Sequence, residues 1–132
     1  MLDRYIVFRY NYRRYIERRY KKEETPLNNA LPLTESTYYI LLSLYTPQHG
    51  YGIMQKTEAL SGGRIHLAAG TLYGALTALC EKGWIIQLPI DEESRRKEYK
   101  LTDRGLMILK NELQRLRQLV LNGEEILKEE AK

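Results

Sequence analysis

Residues 67–83, LAAGTLYGALTALCEKG, constrain the fold of this 132-residue chain more than any other stretch. Apolar residues recur in it at helical spacing, which predicts a helix with one buried face. That apolar stripe consists of Leu72, Leu76, Leu79 and Cys80. Gly83 is expected to end the helix, because glycine adopts a left-handed backbone conformation at little cost. The opposite face carries small and hydroxyl-bearing residues, so it can approach another surface closely.

A strand pair is predicted directly after this helix, over residues 84–90 and 97–101, with a turn at 91–94. Alternation places Trp84, Ile86 and Leu88 on one buried face of the first strand. A helix followed by a basic hairpin is the order of a winged helix-turn-helix, in which the helix enters the DNA major groove. An ordinary amphipathic helix in a small α+β domain is the alternative. The residues expected to contact DNA are Arg64, Gly70, Thr71, Tyr73, Gly74, Thr77, Arg95, Arg96 and Lys97.

Two further helices are predicted before the helix of residues 67–83, which we call the recognition helix. Thr34 is a plausible N-cap for the first, which is expected to run from residue 35 to about residue 45 and to stop before Pro47. Its expected apolar face consists of Tyr38, Leu41, Leu42 and Tyr45. The motif HGYG at 49–52 opens the second helix and Ser-Gly-Gly at 61–63 closes it. We expect His49 to cap or pack rather than to catalyse.

The last helix is predicted from residue 103 to about residue 121, with Thr102 as its cap and Asn122-Gly123 as a kink or end. Its leucine-rich positions recur at spacings of three and four, which is typical of a narrow seam between two helices. Dimerisation through this seam is favoured over internal docking, for which a wider stripe is usual. The dimerisation residues are Leu106, Leu109, Leu113, Leu116 and Val120.

Four segments are therefore expected along the chain. A basic, tyrosine-rich helical extension (1–24) and a linker (25–33) precede the winged helix-turn-helix domain (34–101), and the dimerisation helix with an acidic tail follows (102–132). The extension fits packing on the domain or on a partner, DNA contact, or attachment to a membrane surface, in that order of preference. The fold class is mainly α (α+β): a winged helix-turn-helix with a two-stranded wing.

The composition of the chain argues against several other classes of protein. Hydrophobic residues make up 43% and charged residues 29%, as is usual for one soluble domain. The net charge of +4 is concentrated in the extension, where residues 1–22 hold eight Lys or Arg, and in the wing. No apolar run approaches the roughly 20 residues of a membrane span, and no signal peptide is recognisable. The single cysteine, Cys80, is expected in the core, and the protein in the cytoplasm.

An enzyme is not expected. Only His49 and His66 are available as histidines, and the sequence has no metal-ligand cluster, phosphate-binding loop or nucleophile motif. No cofactor or metal is predicted, and a small-molecule effector stays open. The main competing interpretation is a winged helix used for contact with another protein, without specific DNA binding.

Three motifs carry a resemblance to a known family: HGYG at 49–52, GTLY at 70–73 with its following leucines and Gly83, and RRKEYKLTDRG at 95–105. In this order and at these separations they resemble the PadR-like family of transcriptional regulators, over about residues 33–121. The resemblance implies a homodimeric prokaryotic winged-helix DNA-binding protein, usually a repressor, with the last helix in the dimer interface. Leu67, Ala68 and Ala69 stand where the family usually has a polar cap, so the first N–H groups of the recognition helix are expected to lack one.

Overall fold

The computed structural model describes residues 30–90, 92–93 and 95–128, and its elements belong to the unit Pro32–Lys132. The mainly helical α+β prediction is confirmed for this part of the chain. In chain order the elements are α1 Glu35–Ser43, β1 Gln48–His49, α2 Gly50–Leu60, α3 Ala69–Glu81, β2 Ile85–Gln87, β3 Glu98–Leu101 and α4 Asp103–Leu127. The predicted helical extension (1–24), most of the linker and residues 129–132 lie outside the described residues.

The wing is a three-stranded antiparallel sheet in the order β1-β3-β2, so the prediction of two strands was incomplete. The additional strand β1 has only two residues, Gln48 and His49, which pair with Tyr99 and Glu98 of β3. Two residues show no periodicity in a sequence, and their strand exists only because β3 lies beside them. Pro89 lies beyond the end of β2, which is an edge strand, as its missing N–H requires.

The core lies between the helices and the inner face of the sheet. It is formed by Ile40, Leu41, Leu44, Ile53, Leu72, Leu76, Leu79, Trp84, Ile85, Tyr99, Met107, Ile108 and Leu109, which are all buried. The leucine stripe of α3 is thus buried as predicted, although Cys80 is only half-buried. Tyr45 was wrongly assigned to the apolar face of α1. It is 70% exposed because the helix ends at Ser43 and Leu44 takes the inward position.

Three side chains cap helices in the manner that the sequence indicated. Thr34 Oγ1 accepts a hydrogen bond from the N–H of Thr37, and Thr102 Oγ1 accepts one from Gly105, each at 3.1 Å. His49 is the N-cap of α2, since its ring Nδ1 accepts from the N–H of Gly52 at 3.1 Å. Each bond partners an N–H group that the first helical turn leaves without an acceptor.

The end of α3 explains why the predicted buried face of the first strand was only partly correct. Gly83 has a φ of 75°, its N–H donates to the Cys80 carbonyl, and the N–H of Trp84 donates to the Leu79 carbonyl. This is a Schellman motif, in which the residue after glycine packs back on the helix. Trp84 is therefore buried as part of the cap, the strand begins at Ile85, and Ile86 is 43% exposed rather than buried.

The last helix is longer than predicted. It continues through Asn122 and Gly123 and ends at Leu127. Asparagine disfavours a helix interior when its side chain competes for backbone hydrogen bonds. Here the side chain of Asn122 instead accepts from Gln118, one turn earlier, at 3.0 Å. The carboxamide is thereby occupied along the helix surface, and the chain does not break at this position.

We expect the Thr57→Val variant to be more stable than the wild type by about 1 kcal/mol. Thr57 is fully buried on α2, and its hydroxyl has no hydrogen-bond partner among the described residues. Valine keeps the shape of the side chain and removes the desolvated polar group. Urea unfolding measures the change. Thr34→Val is the matched control, because it removes a hydroxyl that caps a helix and should cost about 1 kcal/mol; equal losses in both variants would contradict the assignment.

Candidate nucleic-acid interface

The outer face of α3 is open along its length. Leu72, Leu76 and Leu79 hold the other side of the helix against the core, and this orientation leaves the small and hydroxyl-bearing residues outside. Tyr73 is the largest of them and is 47% exposed. The hydroxyl of Thr77 donates to the Tyr73 carbonyl at 2.9 Å, so it is held against the helix. The exposed predicted residues of this face are Gly70, Thr71, Tyr73, Gly74 and Thr77.

The start of α3 has no side-chain cap. Ala68 is the N-cap and makes no capping hydrogen bond, as its methyl side chain dictates. A side chain added at Gly70 would meet no atom within 4 Å, so the space beside this helical turn is open. The N–H groups of the first turn can therefore donate hydrogen bonds to water or to an anionic oxygen.

A groove of about 580 Å³ separates the N-terminus of α2 from the wing. Three consecutive cations contribute to one wall, and the recognition helix contributes one tyrosine. The lining residues are His49, Gly50, Tyr51, Tyr73, Arg95, Arg96 and Lys97. None of these carries a carboxylate, so the groove is a positively charged surface beside the outer face of α3.

Pairing of β1 with β3 is what brings the two sides of this groove together. His49 lies opposite Glu98 in the register of these strands, and Glu98 follows Arg96 by two residues. The ring Nε2 of His49 is consequently 3.4 Å from Nη1 of Arg96. On the other side, Gly50 lets α2 approach the recognition helix, because a Cβ there would lie 2.6 Å from the Tyr73 hydroxyl. His49, Gly50 and Tyr51 were not among the predicted contact residues, although the HGYG motif contains all three.

Tyr99 is a buried aromatic residue of β3 that lies near Tyr73, one of the groove residues. Burial raises the pKa of the Tyr99 phenol, and the neighbouring Cys80 and Tyr73 raise it further. The Cys80 thiol also has its pKa raised by burial. Both groups therefore stay protonated at neutral pH, and neither carries a negative charge.

Arg95 has a left-handed backbone, with a φ of 52°. This conformation is uncommon for residues other than glycine, asparagine and aspartate. At the tip of the hairpin it turns the chain between Glu93 and the exposed Lys97. The predicted turn at 91–94 is described only at Glu92 and Glu93, and these two residues do form a turn.

Arg64 is a predicted contact residue whose side chain contacts α1 and the end of α2. It forms an ion pair with Glu35, and its guanidinium is 3.5 Å from the Tyr39 hydroxyl and 3.3 Å from the Ser61 carbonyl. These contacts tie the connection between α2 and α3 to α1, and Arg64 does not line the groove. A contact between Arg64 and DNA stays a prediction.

The predicted dimerisation residues fall in two environments. Leu109 is 5% exposed and belongs to the protomer's own core, whereas Leu106 and Leu116 are half-buried. Leu113 and Val120 are exposed. The exposed part continues beyond the predicted residues with Leu119, Leu121, Ile126 and Leu127. Among the described residues, the exposed large apolar side chains of α4 therefore lie from Leu113 onward.

Within residues 30–90, 92–93 and 95–128, no group of three or more His, Cys, Asp or Glu is placed to hold a metal ion. In the same residues, no helix combines the length and apolar character that crossing a bilayer requires.

Comparison with protein families gives one match. The model described as the transcriptional regulator PadR-like family matches residues 39–111, which run from α1 through the wing into α4. Comparison with curated proteins gave no match.

Solved structures of transcriptional regulators have a similar fold. H. salinarum RosR is 25% identical, with a TM-score of 0.58, over 77% of this chain and 96% of that one. A padr family transcriptional regulator from Eggerthella lenta is 25% identical, with a TM-score of 0.56, over 69% and 80%. A PadR family transcription regulator from Clostridium difficile is 23% identical, with a TM-score of 0.59, over 75% and 100%. The last of these supports the fold alone.

Proposed function

Because the chain belongs to the PadR-like family of transcriptional regulators, we propose that it represses transcription as a homodimer bound to a near-palindromic DNA operator. Members of this family are transcriptional regulators and not enzymes, so the corresponding prediction is confirmed. The observation that carries the proposal is the positively charged groove beside the exposed face of α3. A helix of this kind fits the major groove of DNA, and a cationic wing fits the phosphates beside it.

The proposed contacts fall into two kinds. Thr71 and Tyr73 would reach base edges or sugars from α3, with Gly70, Gly74 and Thr77 allowing close approach. Hydroxyls discriminate bases less sharply than the paired hydrogen bonds of Arg or Asn. A large share of specificity would then come from the shape and deformability of the operator. Arg95, Arg96 and Lys97 would contact phosphate or enter the minor groove.

We expect the Arg95→Asn variant to bind DNA more weakly and to show a shallower salt dependence. Loss of one phosphate contact should lower the slope of log K against log salt by about one, for operator and random duplexes alike. Asparagine tolerates the left-handed backbone of this position, so the loop is preserved. Fluorescence anisotropy at several salt concentrations measures the slope. Lys128→Gln is the control, since it removes the same charge at the end of α4; an equal change there would refute a specific role of the wing.

The dimer is proposed from the exposed apolar residues of α4 from Leu113 onward. Leu113, Leu119, Val120, Leu121 and Ile126 are exposed over nearly four turns. Among the exposed residues, Leu113, Val120 and Leu127 recur at spacings of seven and so share one face of the helix, as in a contact between two helices. A two-fold dimer would present two α3 helices to successive major grooves, about 34–36 Å apart.

The dimer proposal predicts how the operator is organised. We expect a duplex with both half-sites to bind at least about 100-fold more tightly than one of equal length with a single half-site, because the second contact is intramolecular. Val120→Asp should abolish this difference while leaving the weak half-site binding intact. Sedimentation equilibrium on the same samples reports the oligomeric state. If Val120→Asp remains dimeric, the interface lies elsewhere.

A further inference from the structure

From the contact between His49 and Arg96 we propose that these two side chains form one clamp for a single phosphate of the DNA backbone. The inference rests on the proposed DNA-binding function and adds His49, a residue that the predicted interface did not include. It assigns to the histidine two simultaneous tasks, one through each ring nitrogen.

The helix cap fixes the protonation pattern of the ring. Nδ1 of His49 accepts from the N–H of Gly52 at 3.1 Å, so Nδ1 bears a lone pair and no proton. In the neutral imidazole the proton is then on Nε2, which becomes a donor. The tautomer is therefore set by the backbone of α2 and not by the groove that Nε2 faces.

The neighbour of Nε2 is also a donor. Nη1 of Arg96 lies 3.4 Å away, and a guanidinium has no acceptor atom. Two donors cannot bond to each other, but both can bond to one acceptor placed between them. An oxyanion suits this position best, because it accepts several hydrogen bonds and is attracted by the guanidinium charge.

The surroundings indicate a phosphate of DNA. The same groove is lined by Arg95 and Lys97, and it opens beside Tyr73 on the outer face of α3. A backbone phosphate bound at His49 would lie next to the recognition helix and would fix its register in the major groove. Free inorganic phosphate shares this chemistry, and the experiment below separates the two sources.

The test uses His49→Asn in the full chain. Asparagine is among the best N-cap residues, so it can keep the bond to Gly52 while removing the Nε2 donor. Unfolding midpoints verify that the helix is intact. Thr34→Asn is the matched control, because it makes a cap-for-cap exchange at α1, whose cap lies outside the groove.

We expect His49→Asn to bind the DNA duplex from upstream of the protein's own gene about tenfold more weakly than the wild type does. This is the loss expected when one hydrogen bond to a charged group is removed. Its salt slope should stay unchanged, because a neutral ring releases no counterion. Arg96→Ala should instead reduce the slope by about one. The double variant should lose less than the sum of the two losses, since both side chains bind the same phosphate.

Each contrary result overturns a defined part of the inference. If the wild type binds the duplex and His49→Asn binds it equally tightly, the clamp is refuted and the proposed function stands. Additive losses refute a shared phosphate. If inorganic phosphate displaces the duplex and chloride at equal ionic strength does not, the site binds the free anion rather than a phosphate of DNA. No specific binding by the wild type refutes the proposed function and the clamp together.

Discussion

Replacing Gly105 with alanine is expected to destabilise the domain by about 3 kcal/mol or more, the upper range for overpacking of a rigid site. Gly105 is buried in the first turn of α4. A Cβ there would lie 2.8 Å from the carbonyl carbon of Trp84 and still closer to its oxygen. Both atoms belong to the backbone, so no side-chain rotation can relieve the clash.

The neighbouring hydrogen bonds oppose any movement of this helix. The N–H of Thr102 donates to the Trp84 carbonyl at 3.0 Å, and the Thr102 hydroxyl donates to the Gly83 carbonyl at 2.6 Å. The N–H of Gly105 in turn donates to the Thr102 hydroxyl oxygen. A Cβ would have to push α4 away from the Schellman turn, and these bonds would lengthen together.

The sign of the change in unfolding free energy shows whether the added Cβ clashes. Without a clash, alanine should stabilise the helix, because it is a better helix former than glycine by about 1 kcal/mol. Gly74→Ala is therefore the control, since a side chain there meets no atom within 4 Å. We expect urea unfolding without DNA to show Gly74→Ala as stabilised and Gly105→Ala as destabilised. If both variants were stabilised, the close approach of α4 to Trp84 would not exist in solution.

Removal of the buried carboxylate of Glu112 should cost about 3 kcal/mol, as expected when a buried acceptor and a charge partner are lost together. The residue is 1% exposed on α4. One oxygen accepts from the backbone N–H of Leu33 at 2.6 Å, and the other accepts from Nε of Arg115 at 2.5 Å. This hydrogen bond to the carboxylate raises the pKa of Arg115.

Two variants separate the contributions of the pair. Glu112→Ala leaves the Leu33 N–H without an acceptor, whereas Glu112→Gln can still accept from it and should lose less. Glu125 and Lys128 form an exposed pair at the same spacing on the same helix. Glu125→Ala should therefore change the free energy of unfolding by no more than about 0.5 kcal/mol. Equal unfolding midpoints for Glu112→Ala and Glu125→Ala would show that the buried carboxylate has no structural role.

Local patterns were enough to predict the recognition helix and most of its neighbours. The spacing of Leu72, Leu76 and Leu79 indicates which face of α3 is buried, and therefore which face is exposed. Thr34 and Thr102 are caps because of interactions within three residues of the chain. The family resemblance of residues 33–121 is confirmed by the match over residues 39–111.

The candidate site was predicted in part. Tyr73 and the three wing cations are found together as expected, since helix and hairpin are adjacent in sequence. Arg64, also predicted to contact DNA, does not line this groove, and its side chain pairs with Glu35, which lies 29 positions earlier in the chain. No local pattern indicates an ion pair of that separation.

The sequence by itself determined the order of the helices, the inner and outer faces of α3 and the cationic character of the wing, because these depend on spacing and charge within short segments. Tertiary structure alone decided that Gln48 and His49 form a strand, that His49 faces Arg96, and that Trp84 closes a helix rather than opening a strand. Each of these depends on a backbone partner supplied by a different element. Periodicity records which side chains are buried, but not which strand or helix end lies against them.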